Sequence, residues 1–381
     1  MSYRYNLLFA ILCLILLLPG AKAQNAFPQE AARISYVMSA GDFEGAIAQT
    51  TEIMNRTGMA DATLLYLRGY AKWHICWFGD ALADLKPLGN FRPNAGFPVA
   101  SELVQEIEQM KALAPTNVEE IKEGGQVLFR VYYDEDTDWT KAIRKLLPQA
   151  FKIGSQMYGV KIYETAVFIF KEAERFQKFR TLRFKNKIGS WSWATGSEGM
   201  LLFCRTDAKG KVRAGNTESD YFKGTIVHEY SHALLHRLIS NASLPSWLDE
   251  GLAMFAETRI APKNIEKNDQ TLKRCFTENT LLSLKEMSAS TIFYDMVEKE
   301  DPKRQSVPAD AYSGTEGYQQ CLHMVRFFLL NTTEEQRKNF VRVYNTSKNV
   351  EKSFQEVFRV STEDFYASWR EVGAKGLPAP K

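Results

Sequence analysis

The chain has no C-x-x-C pair, only five histidines, little net charge and a single long apolar run. Each shortage excludes something. Without a C-x-x-C pair, a cysteine-built zinc site is ruled out. A net charge of +3, dispersed over 381 residues, argues against a nucleic-acid partner. The apolar run, Leu7 to Leu18, is too short to span a bilayer, and no later segment approaches membrane length. Intramembrane chemistry and an integral span in the mature chain are therefore excluded. The acidic run Asp134-Glu135-Asp136-Thr137-Asp138 lacks the glycine and the distal glutamate of a calcium loop, so it reads as a solvated strand-to-helix turn.

What remains is an ordinary globular composition, 45% hydrophobic and 24% charged. Arg4 precedes the apolar run, Pro19-Gly20 breaks it, and Ala21-Lys22-Ala23 has the small-x-small form of a signal-peptidase site. Residues 1–23 are expected to be a signal peptide and the mature chain to be exported, periplasmic or extracellular. No cysteine follows the cleavage site, against a lipoprotein anchor. Loss of Cys13 leaves Cys76, Cys204, Cys275 and Cys321, which permit two disulfides in three pairings or four buried thiols. The mature length predicts two or three domains.

Three of the histidines, His228, His232 and His236, fall within nine residues. The first two belong to His228-Glu229-Tyr230-Ser231-His232, an H-E-x-x-H stretch. Positions i and i+4 share a helix face, so both imidazoles can grip one zinc ion. Glu229 sits beside the first ligand, where a carboxylate can take a proton from an activated water. After 17 intervening residues comes Glu250, within Trp247-Leu248-Asp249-Glu250-Gly251-Leu252-Ala253. It supplies a third ligand and leaves a fourth position open. His236 reads as a surface or packing histidine.

These segments resemble the gluzincin zinc peptidases, in which the two histidines of H-E-x-x-H and a later glutamate bind the metal. Residues 247–253 are similar to the W-L-x-E-G-x-A segment of the aminopeptidase branch, and closer still to compact bacterial proteins of the peptidase MA-like type. The resemblance implies one Zn2+ per chain, ligated by His228, His232 and Glu250, with Glu229 as general base and later proton donor. It implies a supporting role for Glu257. The thermolysin branch carries an aspartate four residues after its glutamate ligand; here that residue is Met254, so support for His228 must come from elsewhere. No G-x-M-E-N type segment precedes the metal helix, which argues against aminopeptidase action. Many members place a tyrosine at the start of a carboxy-terminal helix, where a phenol can donate to an oxyanion. Tyr318 fits that position best, with Tyr312 in reserve.

The predicted fold class is α+β, in three parts after the signal. Residues 24–117 are helical in pattern. Ser39 to Ala46 and Trp77 to Asp84 look like two copies of a turn entering a helix, with Gly41 and Gly79 aligned, near the tetratricopeptide period. Residues 27–113 could thus bind a protein partner, or simply cover the catalytic part. Residues 118–262 alternate strands and helices in the order of a zincin-like amino-terminal subdomain. Val127 to Tyr133, Val160 to Tyr163, Ala166 to Phe170 and Met200 to Cys204 read as strands. Lys141 to Gly159 reads as a helix kinked or broken at Pro148. Leu201 to Cys204 is expected at the cleft edge, free to pair with an extended peptide. Gly196 and Gly199 are expected to let substrate approach the backbone. Residues 263–381 are again helical. The functional expectation is an exported zinc peptidase acting on a peptide or protein substrate. The alternative is an inactive zincin-fold scaffold that recruits a partner through its helical amino-terminal part.

Overall fold

The computed structural model describes residues 27–159, 163–184, 193–207, 209–213, 215–239, 244–288 and 316–377. The leader at 1–23, the strand reading at 160–162 and the reserve Tyr312 lie outside them. The described residues form two compact units: 27–114 with 178–184, and 115–177 with 193–377.

The first unit is helical: α1 (Pro28–Ser39), α2 (Phe43–Thr57), α3 (Ala62–His74), α4 (Phe78–Leu85) and α5 (Ala100–Leu113). Asp42 and Asp61 cap α2 and α3 by accepting backbone N–H groups of the first turn. Both turn-helix entries exist, but their glycines are not equivalent. Gly41 sits at φ +77° just before the cap of α2. The residue in that conformation before α4 is Cys76, at φ +62°, whereas Gly79 lies inside the helix. Asp84, buried at the α3–α4 contact, pairs with Arg68 at 2.6 Å and Lys72 at 2.7 Å, so no bare charge is left inside.

The second unit holds the sheet: β1 (Asn117–Glu123), β2 (Gln126–Tyr133), β3 (Thr165–Phe170), β4 (Ala194–Ser197) and β5 (Met200–Cys204), in the spatial order β1-β2-β3-β5-β4. Helix α6 (Asp138–Tyr158) links β2 to β3, and α7 (Ala173–Phe184) follows β3. The outer pairs are antiparallel; β2-β3 and β3-β5 are parallel. Alternation puts Val131, Val167, Ile169, Leu201 and Phe203 on one face, where they join Ile143, Leu147 and Phe151 of α6 in one core. Pro148 neither ends nor splits α6, which runs on to a left-handed cap at Gly159. One lost N–H is tolerated because Ile143, Leu147, Ala150, Phe151 and Gly154 are all buried against the core.

Two expectations about the sheet are corrected. Leu201 to Cys204 is not at the edge: β5 pairs with β3 on one side and β4 on the other. The edge is β4, because a tight hairpin through Glu198 and Gly199, both at positive φ, folds residues 194–197 back along β5. Gly196 does not admit a substrate; it admits a helix, as described below.

The acidic run is spent on cations. Asp134 accepts the Lys171 backbone N–H and meets Arg175, Glu135 meets Lys171 and Arg205, and Asp136 meets Arg144.

Among the described residues eight further helices follow β5: α8 (Asp220–Leu238), α9 (Ser246–Glu257), α10 (Lys263–Glu278), α11 (Leu284–Ser288), α12 (Glu316–Asn331), α13 (Glu334–Ser347), α14 (Val350–Phe358) and α15 (Thr362–Gly373). They enclose a second core, in which Trp247, Phe328, Phe354, Phe365 and Trp369 are buried. Cys204, Cys275 and Cys321 here, like Cys76 in the first unit, are separate buried thiols. No helix among the described residues is long and apolar enough to cross a membrane.

Candidate metal centre

Helix α8 begins where Ser219 accepts the Phe222 N–H. It is buried almost all round rather than amphipathic: Phe222, Ile226, Val227, Tyr230, Ala233, Leu234 and Leu235 are all inside. This overturns any reading of the histidines as a solvated surface face. His228 and His232 stand one turn apart with Nε2 atoms 3.1 Å from each other.

Helix α9 crosses them because its own residues demand it. Trp247 and Leu248 are 1% exposed, sunk in the second core. At Gly251 a side chain would meet the Cys321 carbonyl oxygen and Val325 of α12, each at 2.5 Å, so only glycine permits the contact. Packed on both sides, α9 turns Glu250 toward the histidines. Its Oε2 lies 3.4 Å from His228 Nε2 and 3.4 Å from His232 Nε2. That oxygen is buried and has no hydrogen-bond partner.

Two nitrogens and an unpartnered carboxylate oxygen thus form a triangle with sides of 3.1, 3.4 and 3.4 Å. Atoms sharing a tetrahedral zinc with bonds of about 2.0–2.1 Å stand about 3.3 Å apart. The residues fit the ion, and a cation is the partner that this buried oxygen lacks.

Around the triangle each histidine is oriented from behind. Asp249 Oδ1 is 2.8 Å from His232 Nδ1, so Nδ1–H donates and Nε2 keeps its lone pair for the centre. Glu257 Oε2 is 3.6 Å from His228 Nδ1, near enough for its charge to act. Glu257 therefore stands where a support for His228 was needed. Asp249 was not foreseen: an aspartate beside a candidate ligand carries no one-dimensional sign of which ring it will face. His236, read as a surface or packing histidine, meets Asp249 Oδ2 through Nε2 at 2.7 Å and Ser197 Oγ through Nδ1 at 3.0 Å.

Glu229 is held by β4. The Gly196 N–H donates to Glu229 Oε2 at 2.6 Å. The approach is close because Gly196 has no side chain: a Cβ there would overlap the Glu229 carbonyl oxygen and lie 2.5 Å from its carbon.

The electrostatics follow from burial and pairing. Burial opposes charge on His228, but Glu250 and Glu257 outweigh it and push the imidazole up to about 9. Burial likewise opposes the His232 cation, and Asp249 and Glu250 override it. Burial would raise Glu250, yet His232 and His228 bring it down to about 2. Burial raises Glu229 above the usual carboxylate range, against the pull of His228 and His232. The pocket is thus built to hold positive charge between carboxylates.

Tyr318 lies in the first turn of α12, its ring packed on the second core. It is one turn before Cys321, the residue that meets Gly251, so its position is on the side of α12 that faces α9.

Residues 211–374 match the family model described as the Peptidase MA superfamily. The match runs from just before α8 through α15 and includes His228, Glu229, His232 and Glu250, but covers less than half of the chain. It supports a zincin-like, typically metal-dependent peptidase. No curated protein matches the chain.

Proposed function

We propose that this chain is an exported zinc-dependent peptidase. The reading is carried by one observation: the Nε2 atoms of His228 and His232, on the helix that also carries Glu229, and the unpartnered Oε2 of Glu250 on α9 converge at ion-sharing distances. A zinc ion held by His228, His232 and Glu250 would supply Lewis acidity, toward a water and toward the scissile carbonyl. Glu229 takes the proton from the attacking water and passes it to the leaving amine. The Gly196 N–H holds one carboxylate oxygen and leaves the other to move the proton. The Tyr318 phenol donates to the oxyanion. Residues 1–23 direct export, and the helical unit of residues 27–113 offers a surface for a protein partner.

The test is metal analysis of the purified chain before and after chelation, with a broad peptide library as substrate. One zinc per chain, and hydrolysis lost with the chelator and restored by zinc, is the expected outcome. A chain that binds one zinc yet cleaves no peptide supports the scaffold alternative. A chain that binds none removes the centre.

Glu257→Ala takes away the charge behind His228. Zinc affinity should fall about tenfold, measured by competition with a chromophoric chelator; an unchanged affinity would show that Glu257 does not support the ligand.

A further inference from the structure

His232, His236 and Asp249 form a second grouping of ligand-type atoms beside the first. Its spacings differ in kind. Asp249 Oδ1 to His232 Nδ1 is 2.8 Å and Asp249 Oδ2 to His236 Nε2 is 2.7 Å. Those are hydrogen-bond lengths, shorter than the roughly 3.3 Å between atoms that share a zinc ion. The grouping is therefore a chain of hydrogen bonds and not a second ion site.

The chain has a direction. Ser197 Oγ meets His236 Nδ1 at 3.0 Å, His236 Nε2 meets one oxygen of Asp249, and the other oxygen meets His232 Nδ1. With both oxygens engaged by imidazoles on one helix, the Asp249 carboxylate cannot rotate without breaking a bond. A fixed carboxylate fixes the His232 ring plane and its tautomer. Ser197 is the neighbour of Gly196, whose N–H holds Glu229. Two consecutive residues of β4 thus reach the base and, through His236 and Asp249, the second ligand.

We infer that His236 is a positioning residue for the metal centre: anchored by Ser197 on the β4–β5 hairpin, it acts through Asp249 to orient His232. The inference rests on His232 being a ligand, as proposed above.

Zinc titration of the full chain, stripped by chelator and competed with a chromophoric indicator, tests it without reference to turnover. Circular dichroism checks that each variant is folded. Asp249→Ala should weaken zinc binding about 10–100-fold and His236→Ala about tenfold. Because His236 acts through Asp249, adding His236→Ala to Asp249→Ala should cost nothing further, a non-additivity expected only of coupled residues. Ser197→Ala should weaken binding in the same direction by a smaller factor. His236→Gln, whose amide can still donate to Asp249, should recover most of the affinity. Should His236→Ala fail to fold, Ser197→Ala and His236→Gln carry the same test. Zinc binding in the folded His236→Ala chain within about twofold of the unmodified chain, or a full loss added on top of Asp249→Ala, overturns the inference. A chain without substitutions that takes up no zinc overturns the metal centre itself, so the two failures are distinguishable.

Discussion

Glu229→Gln is expected to leave one zinc per chain and to lower kcat by about 10²–10⁴-fold, the contribution of a positioned proton-transfer group. The change is nearly isosteric. An amide at this position keeps an oxygen able to accept the Gly196 N–H, now 2.6 Å from Glu229 Oε2, so the β4 contact survives. The proposed ligands are untouched, since His228, His232 and Glu250 meet one another without Glu229. What is lost is the capacity to take a proton from water and return it to the amine. Steady-state kinetics beside metal analysis separates the outcomes. A zinc-loaded variant with full activity would remove Glu229 from the mechanism, and a variant that sheds zinc would show that the carboxylate serves the ion rather than the proton.

Gly196→Ala should have the largest effect on the fold. The added methyl would overlap the Glu229 carbonyl oxygen, and this obstacle is backbone in a buried helix, unable to swing aside as a side chain can. Either β4 leaves α8 or α8 shifts, and the Gly196–Glu229 bond goes in both cases. A destabilisation of about 3 kcal/mol or more is expected, seen as a fall in Tm of roughly 6–12 °C. A loss of activity larger than the unfolded fraction explains should accompany it. Gly79→Ala is the control: a Cβ there meets nothing, and the site lies within helix α4, so the change should be neutral or slightly stabilising. Equal behaviour of the two variants in calorimetry would show that the close approach at Gly196 is not required.

Much of the centre was legible before the fold was known, because helical period is a local property. An H-E-x-x-H stretch that forms a helix must place two imidazoles on one face. The run Trp247-Leu248 must bury itself, and Glu250, three and two residues on, is carried on the same packed helix. Glu257, two turns after Glu250 on α9, follows by the same periodicity. The strands at 126–133, 165–170 and 200–204 were likewise visible as apolar β-branched and aromatic runs.

Strand order was not legible. Placing β5 inside the sheet and β4 at its edge depends on a hairpin whose short first arm, Ala-Thr-Gly-Ser, carries little β propensity. Of the kink or break that Pro148 suggested, the break does not occur: local preference favours it, and core burial of α6 overrides it. Among charged side chains the same limit holds, since the Arg68–Asp84 pair joins residues 16 apart.

From its residues alone this chain specified which atoms are chemically able to bind an ion and which helices would carry them, since both follow from side-chain type and a period of a few residues. Only tertiary packing decided that Asp249 faces His232, that His236 closes on Asp249, and that Gly196 reaches Glu229. Those contacts join residues 13 to 33 positions apart on separate elements, and their geometry exists only after α8, α9 and β4 have been pressed together by the cores around them.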